Sequence, residues 1–146
     1  MPRLKIELPA SFPFKTELAV RISDINYGGH LGNDAVLSLF QEARLQFLAT
    51  KGMSELDAGG PGLTMVSAGV AYKGEGFRGD VLEIEVAVTE IGPLGFELAY
   101  KATRKSDSKE IARAFTSMAF FDYSKRKLAK TPQLFIDSFQ AFPVAG

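Results

Sequence analysis

A chain of 146 residues, 46% hydrophobic and 23% charged, is long enough to bury a core and has the composition of an ordinary globular protein, so residues 1–146 are expected to form one domain. Its seventeen Lys and Arg balance seventeen Asp and Glu, which leaves no basic excess to draw a nucleic-acid backbone. The lack of cysteine excludes disulfides, thiolate metal sites and a cysteine nucleophile, and a single histidine excludes a multi-histidine metal site within the chain. No apolar run reaches the length of a membrane span, and residues 1–7 carry a glutamate and no apolar core, so no signal peptide is expected and the cytoplasm is the expected compartment.

Residues 1–13 read as extended chain broken by Pro2, Pro9 and Pro13. From 14 to 22 the pattern alternates, with Phe14, Leu18, Val20 and Ile22 facing one way, and predicts a strand. A polar loop follows at 24–33, holding the only histidine, His30, both asparagines and Gly28, Gly29 and Gly32. The period then changes. Val36, Leu37, Phe40, Ala43, Phe47 and Leu48 share one face of a helix over 34–51, and Leu39 and Leu45 widen that face. Asn33 or Asp34 is the expected cap, and Gly52 suits the position just past the end.

After a glycine-rich loop at 58–62 the chain turns to strands. They are expected over 63–75, 80–91, 96–104 and 111–122, with a turn at 74–79, a hairpin at 92–95 and a polar turn at 105–109. Leu82, Ile84, Val86 and Val88 point inward while Glu83 and Glu85 point out. The tail from Tyr123 is basic, then broken by proline, with one short helix over 133–139. One antiparallel sheet that must cover a long helix apolar on several sides will curl around it, the α+β hot-dog arrangement. Such a sheet has open edges, and pairing with a second copy is the expected remedy.

The ordered motifs carry a family resemblance. Asp24-x-Asn26-x-x-Gly29-His30-x-x-Asn33, followed by Phe40-Gln41-Glu42-Ala43-Arg44 on the helix, resembles the signature of the 4-hydroxybenzoyl-CoA thioesterase-like hot-dog family. The likeness continues through Phe77-Arg78-Gly79-Asp80-Val81-Leu82-Glu83-Ile84, Ala119–Asp122 and Lys130-Thr131-Pro132, so it spans nearly the whole chain. It implies hydrolysis of an acyl-CoA or acyl-carrier-protein thioester, in a homodimer or a dimer of dimers, with no metal and no cofactor. Backbone N–H groups at the helix start would polarise the thioester carbonyl, and a carboxylate would serve as nucleophile or base. The chain departs from the pattern at Asn26, where the family's usual catalytic aspartate stands.

Four residues are therefore expected to carry the chemistry: Asn26, His30, Asp34 and Asp24. Histidine ordinarily titrates near neutral pH, which suits His30 to act as base. Asn26 can orient water or the carbonyl, or simply close an Asx-turn. Asp34 in the first helical turn is a substitute carboxylate or a cap. Asp24 is a further carboxylate, or a brace for the loop. Tyr27, Gly28, Gly29, Asn33, Glu42 and Ser67 are the expected substrate contacts, with Glu42 on a polar stripe that also holds Asp34 and Ser38. Two alternatives stand beside hydrolysis: an acyl-CoA or acyl-carrier binding protein on the same fold, and a hot-dog hydratase or dehydratase.

Overall fold

The computed structural model describes residues 4–144, and its elements follow the changes of period along the chain. They are β1 (Phe14–Ala19), α1 (Asn33–Ala49), β2 (Gly62–Tyr72), β3 (Val81–Ile91), β4 (Gly95–Arg104), β5 (Glu110–Asp122), β6 (Lys127–Leu128) and α2 (Gln133–Ser138), with one 3-10 turn at Ile22–Asp24. The strands form one antiparallel sheet in the order β1-β3-β4-β5-β2, and β6 folds back onto β5. This sheet curls around α1 in the hot-dog arrangement.

Alternation explains the inner face. Leu82, Ile84, Val86 and Val88 of β3 are buried with Leu98 and Tyr100 of β4 and Ala114, Thr116 and Met118 of β5. Val36, Leu39, Phe40, Ala43, Phe47 and Leu48 of α1 press against them. Burying each large side chain of this kind contributes about 1.5–3 kcal/mol. At the far end of α1, Phe47, Phe96, Phe120, Phe135 and Phe139 pack ring on ring and seat α2 against the sheet.

A polar network lies inside this core. Arg44 is 4% exposed; its Nε donates to the Glu55 carboxylate at 2.6 Å and its NH1 to the Tyr100 hydroxyl at 3.1 Å. The Tyr100 hydroxyl lies 2.7 Å from Thr116 Oγ1, which completes the network. Burial works against the charge on Arg44, but Tyr100 and Glu55 outweigh it and hold the guanidinium firmly protonated, while burial pushes the Tyr100 phenol up.

The structure corrects several local expectations. The first strand stops at Ala19, and Ile22 is 70% exposed because the chain has already entered the 3-10 turn. Neither Asn33 nor Asp34 caps α1: Gly32 does, with no side-chain bond. A side chain at Gly32 would meet the Asp34 carboxylate at 2.8 Å and push it aside. The helix ends at Ala49, and Gly52 with φ +70° reverses the chain while Met53 N–H returns to the Leu48 carbonyl at 3.1 Å. Leu37 and Leu45, expected against the sheet, are 39% and 36% exposed. The short strand β6 had no clear signal in a basic tail.

The two sheet edges differ. β1 is six residues long and carries Lys15 and Glu17. β2 is eleven residues long, pairs only through β5, and exposes Met65, Val66, Ser67 and Ala68 around a bulge between Met65 and Ser67. Such an edge invites another strand.

Candidate active site

The loop ahead of α1 is built from short local bonds. Asp24 is buried, and its Oδ2 accepts the Arg21 backbone N–H at 2.8 Å while its two oxygens meet the Arg21 guanidinium at 3.4 Å. A bridge between Ile25 and Leu31 closes the loop. Inside it, Asn26 Oδ1 accepts the N–H of Gly28 at 2.9 Å and of His30 at 3.2 Å, an Asx-turn, and the Asn26 N–H donates to the His30 carbonyl at 2.8 Å. Gly29 takes φ +82°, a conformation that a side chain resists, and Tyr27 stands fully in solvent at the tip.

The loop delivers the chain to a helix start that is left open. Among the described residues the N–H groups of Asn33, Asp34 and Ala35 have no acceptor, and the first paired amide is that of Val36, donating to the Gly32 carbonyl at 3.3 Å. These groups and the helix dipole concentrate partial positive charge at one point. Asn26 and Asp34 flank it: the vacant Cβ position of Gly32 lies 2.8 Å from Asp34 Oδ1 and 3.8 Å from Asn26 Cβ. Asp34 is exposed, and among the described residues its carboxylate accepts no hydrogen bond and forms no ion pair.

Three residues beyond the sequence expectation join the site. Tyr72, at the end of β2, donates its hydroxyl to the Asn33 carbonyl at 3.1 Å, and its phenol is raised by partial burial and then by the Asp34 charge. The turn after β2 places Phe77 edge-on to the His30 ring, with centroids 5.3 Å apart, and Glu75 Oε2 3.7 Å from His30 Nε2. That turn is bound to the loop by Leu31 N–H to the Gly76 carbonyl at 2.8 Å. Arg104 anchors it in turn, donating to the Glu75 carbonyl at 2.8 Å and to Asp80 at 3.1 Å. The 74–79 glycine pattern signalled a turn, but nothing in a linear pattern says that this turn meets a loop more than forty residues earlier.

The structure thus brings Asn26, Asn33 and Asp34 to the helix start and sets the His30 ring against Glu75 and Phe77, with Tyr27, Gly28 and Gly29 on the rim and Asp24 beneath. Glu42 lies two turns further along α1, about 12 Å by helical rise, where it accepts a bond from Gln46 at 2.8 Å. Arg44, two residues on, is buried on another side of the helix. Ser67 is exposed in the middle of the β2 edge. By strand alternation it faces away from α1, whereas its neighbour Ala68 pairs with buried Thr116 on the other face. Among the described residues no three metal-ligating side chains converge.

An open helix start beside polar side chains offers hydrogen-bond donors to an oxygen that gains negative charge. The family model described as thioesterase-like superfamily matches residues 20–141. The chain belongs to the thioesterase-like superfamily. Several solved structures share the fold at low sequence identity. A 1,4-dihydroxy-2-naphthoyl-CoA thioesterase from Synechocystis is 23% identical with a TM-score of 0.78, over 86% of this chain and 93% of that one. A thioesterase-superfamily protein from Jannaschia is 19% identical with a TM-score of 0.80, over 95% and 94%. A Staphylococcus aureus protein solved in complex with CoA is 16% identical with a TM-score of 0.77, over 94% and 85%. No curated protein matches the chain in sequence. Among the described residues of this thioesterase-like chain, no helix is long and apolar enough to cross a membrane.

Proposed function

We propose that this protein hydrolyses an acyl-CoA thioester to the free acid and CoA. The observation that carries the reading is the set of unpaired N–H groups at Asn33, Asp34 and Ala35 with Asn26 and Asp34 on either side. A thioester carbonyl seated there receives hydrogen bonds that strengthen as its oxygen becomes an oxyanion, which is where catalysis gains most. Asn26 keeps its Oδ1 in the Asx-turn and offers Nδ2 to the carbonyl or to water. Asp34 supplies the carboxylate that the loop lacks at position 26. It takes a proton from water as the water attacks the carbonyl carbon; the tetrahedral adduct then collapses and expels the CoA thiolate, which is protonated on leaving. The superfamily match and the CoA-bound relative support a CoA carrier.

A second assignment of the base has its own support. His30 stands with Glu75 at 3.7 Å, so a carboxylate can orient the imidazole toward attacking water. Release of free thiol from aryl, short-chain and long-chain acyl-CoAs tests both. Asp34→Asn abolishing turnover while His30→Ala retains most of it supports Asp34, and the reverse result moves the base to His30. Turnover unchanged in both variants overturns the mechanism. No turnover with any acyl-CoA, together with measurable acyl-CoA binding, would instead make this a binding protein. Asn26→Asp raising the rate would mean that the amide stands in for a stronger base.

The exposed β2 edge supports a homodimer in which two copies of β2 pair across a two-fold axis. Val66→Glu, a charge at the centre of that edge, is expected to yield monomers by sedimentation.

A further inference from the structure

Near the start of β2 the surface is apolar and basic at once. Leu56 stands 81% exposed on a loop, and Tyr123, Leu128 and Leu134 are each at least half exposed. They come from three separate segments, yet they meet. Leu56 and Tyr123 line one cleft of about 590 Å³ together with Lys130. Leu128 of β6 pairs opposite Phe121, whose ring centroid lies 4.9 Å from that of Tyr123. Leu134, at the start of α2, closes the group: a Cβ on Gly59, in the cleft wall, would lie 3.7 Å from Leu134 Cβ. Exposed apolar side chains gathered in this way mark a contact surface, whereas single ones do not.

Cations rim the same patch. The turn between β5 and β6 carries Lys125, Arg126 and Lys127 in succession, Lys130 follows just past β6, and all four are exposed. Among the described residues none of the four forms an ion pair, whereas Arg21, Arg44, Arg104 and Arg113 all do. The acids close by are turned to the chain itself. Asp122 Oδ1 accepts the Ser124 hydroxyl at 2.7 Å and the N–H groups of Ser124 and Lys125 at 3.0 Å. Asp57 Oδ1 accepts the Gly60 N–H at 2.8 Å, and Glu55 meets buried Arg44.

Leucine tips shed water only against another apolar phase, tyrosine suits the boundary between an apolar phase and water, and free cations are drawn to phosphates. A folded protein partner would have to match tips that stand on separate turns. A bilayer needs no such match, because its acyl chains and headgroups rearrange around whatever enters. We propose that this patch docks the protein on the surface of an anionic lipid bilayer. Leu56, Tyr123, Leu128 and Leu134 enter the headgroup boundary, and Lys125, Arg126, Lys127 and Lys130 meet the lipid phosphates. Gly62 at the near end of β2 pairs with Phe121, while Tyr72 at its far end touches the start of α1. Ten residue steps put those ends about 33 Å apart, so docking leaves the open helix start uncovered. The inference therefore stands or falls apart from the thioesterase reading.

The chain has no tryptophan, so Leu56→Trp carries the only one, placed where entry is expected. With vesicles of phosphatidylcholine and phosphatidylglycerol its emission should shift to the blue and be quenched by brominated acyl chains. Leu37→Trp, on the open side of α1, should not respond. In cosedimentation the wild type should bind these vesicles about tenfold or more tighter than pure phosphatidylcholine, with affinity falling as salt rises. Changing the four cations to glutamine, or Leu56 and Leu134 to serine, should each weaken binding by about tenfold or more in a protein that still folds. A wild type that stays in the supernatant, equal binding to both kinds of vesicle, or unchanged binding of either folded variant overturns the proposal. Emission of Leu56→Trp that does not move, or a matching shift of Leu37→Trp, overturns it as well. So does binding that millimolar inorganic phosphate or soluble polyglutamate removes at constant ionic strength, which would make the patch a site for a free anion or an acidic protein. Should either multiple variant unfold, the emission and quenching of Leu56→Trp decide alone.

Discussion

Two polar regions on α1 stand in contrast. In mid-helix, Arg44, Glu55, Tyr100 and Thr116 form a network inside the core in which each side chain has a partner. At the helix start, the N–H groups of Asn33, Asp34 and Ala35 are unpaired, and the Asp34 carboxylate beside them is free. A buried polar group left alone costs about 1–3 kcal/mol, so the interior network must be complete for the fold to stand. An exposed helix start carries no such penalty, since water or a ligand can satisfy it. Completeness marks the structural site, and the open helix start is where we propose the chemistry.

Substitutions at the two regions should therefore separate stability from turnover. The largest expected effect on the fold comes from Arg44→Ala, which strands Glu55 and Tyr100 and should cost about 3–5 kcal/mol in denaturant unfolding. Asp34→Asn should leave the unfolding midpoint within about 1 kcal/mol of wild type yet lower kcat by about a hundredfold or more. A variant of Asp34 that unfolds as readily as Arg44→Ala would erase the distinction. Tyr72→Phe sharpens it from the border, because it removes only the bond to the Asn33 carbonyl; a loss of about 1 kcal/mol is expected in thermal unfolding.

The smallest effect belongs to the surface. The Arg113 guanidinium holds Glu110 below the usual carboxylate range, with a bond of 2.6 Å. A depressed folded pKa adds stability above the unfolded value and loses it as pH falls through the folded one. Glu110→Gln should then lower stability by less than about 1 kcal/mol at neutral pH, and unfolding curves of the two proteins should converge in acid.

The sequence was most legible where period speaks directly. The alternation of Leu82, Ile84, Val86 and Val88 and the 3.6-residue repeat through Phe40, Ala43 and Phe47 place strand and helix within a few residues. The loop at 24–33 was legible too, because it gathers both asparagines and the only histidine of the chain and leads into a helix. Boundaries were less so. Ile22 continues an apolar alternation, yet the buried carboxylate of Asp24 draws the Arg21 backbone into a 3-10 turn and leaves Ile22 outside.

By itself, then, the sequence determined the elements, the curled sheet that must cover an apolar helix, and the loop where chemistry is to be sought. Tertiary structure alone decided which groups share a space. It buried Arg44 against Glu55 and Tyr100, brought Tyr72 and Glu75 to the loop, and left Asp34 as the free carboxylate beside the helix start. The reason is physical. Periodicity reports which way a side chain faces along its own element, whereas a site is made by elements that meet through the pairing of distant strands, and no local pattern encodes those distances.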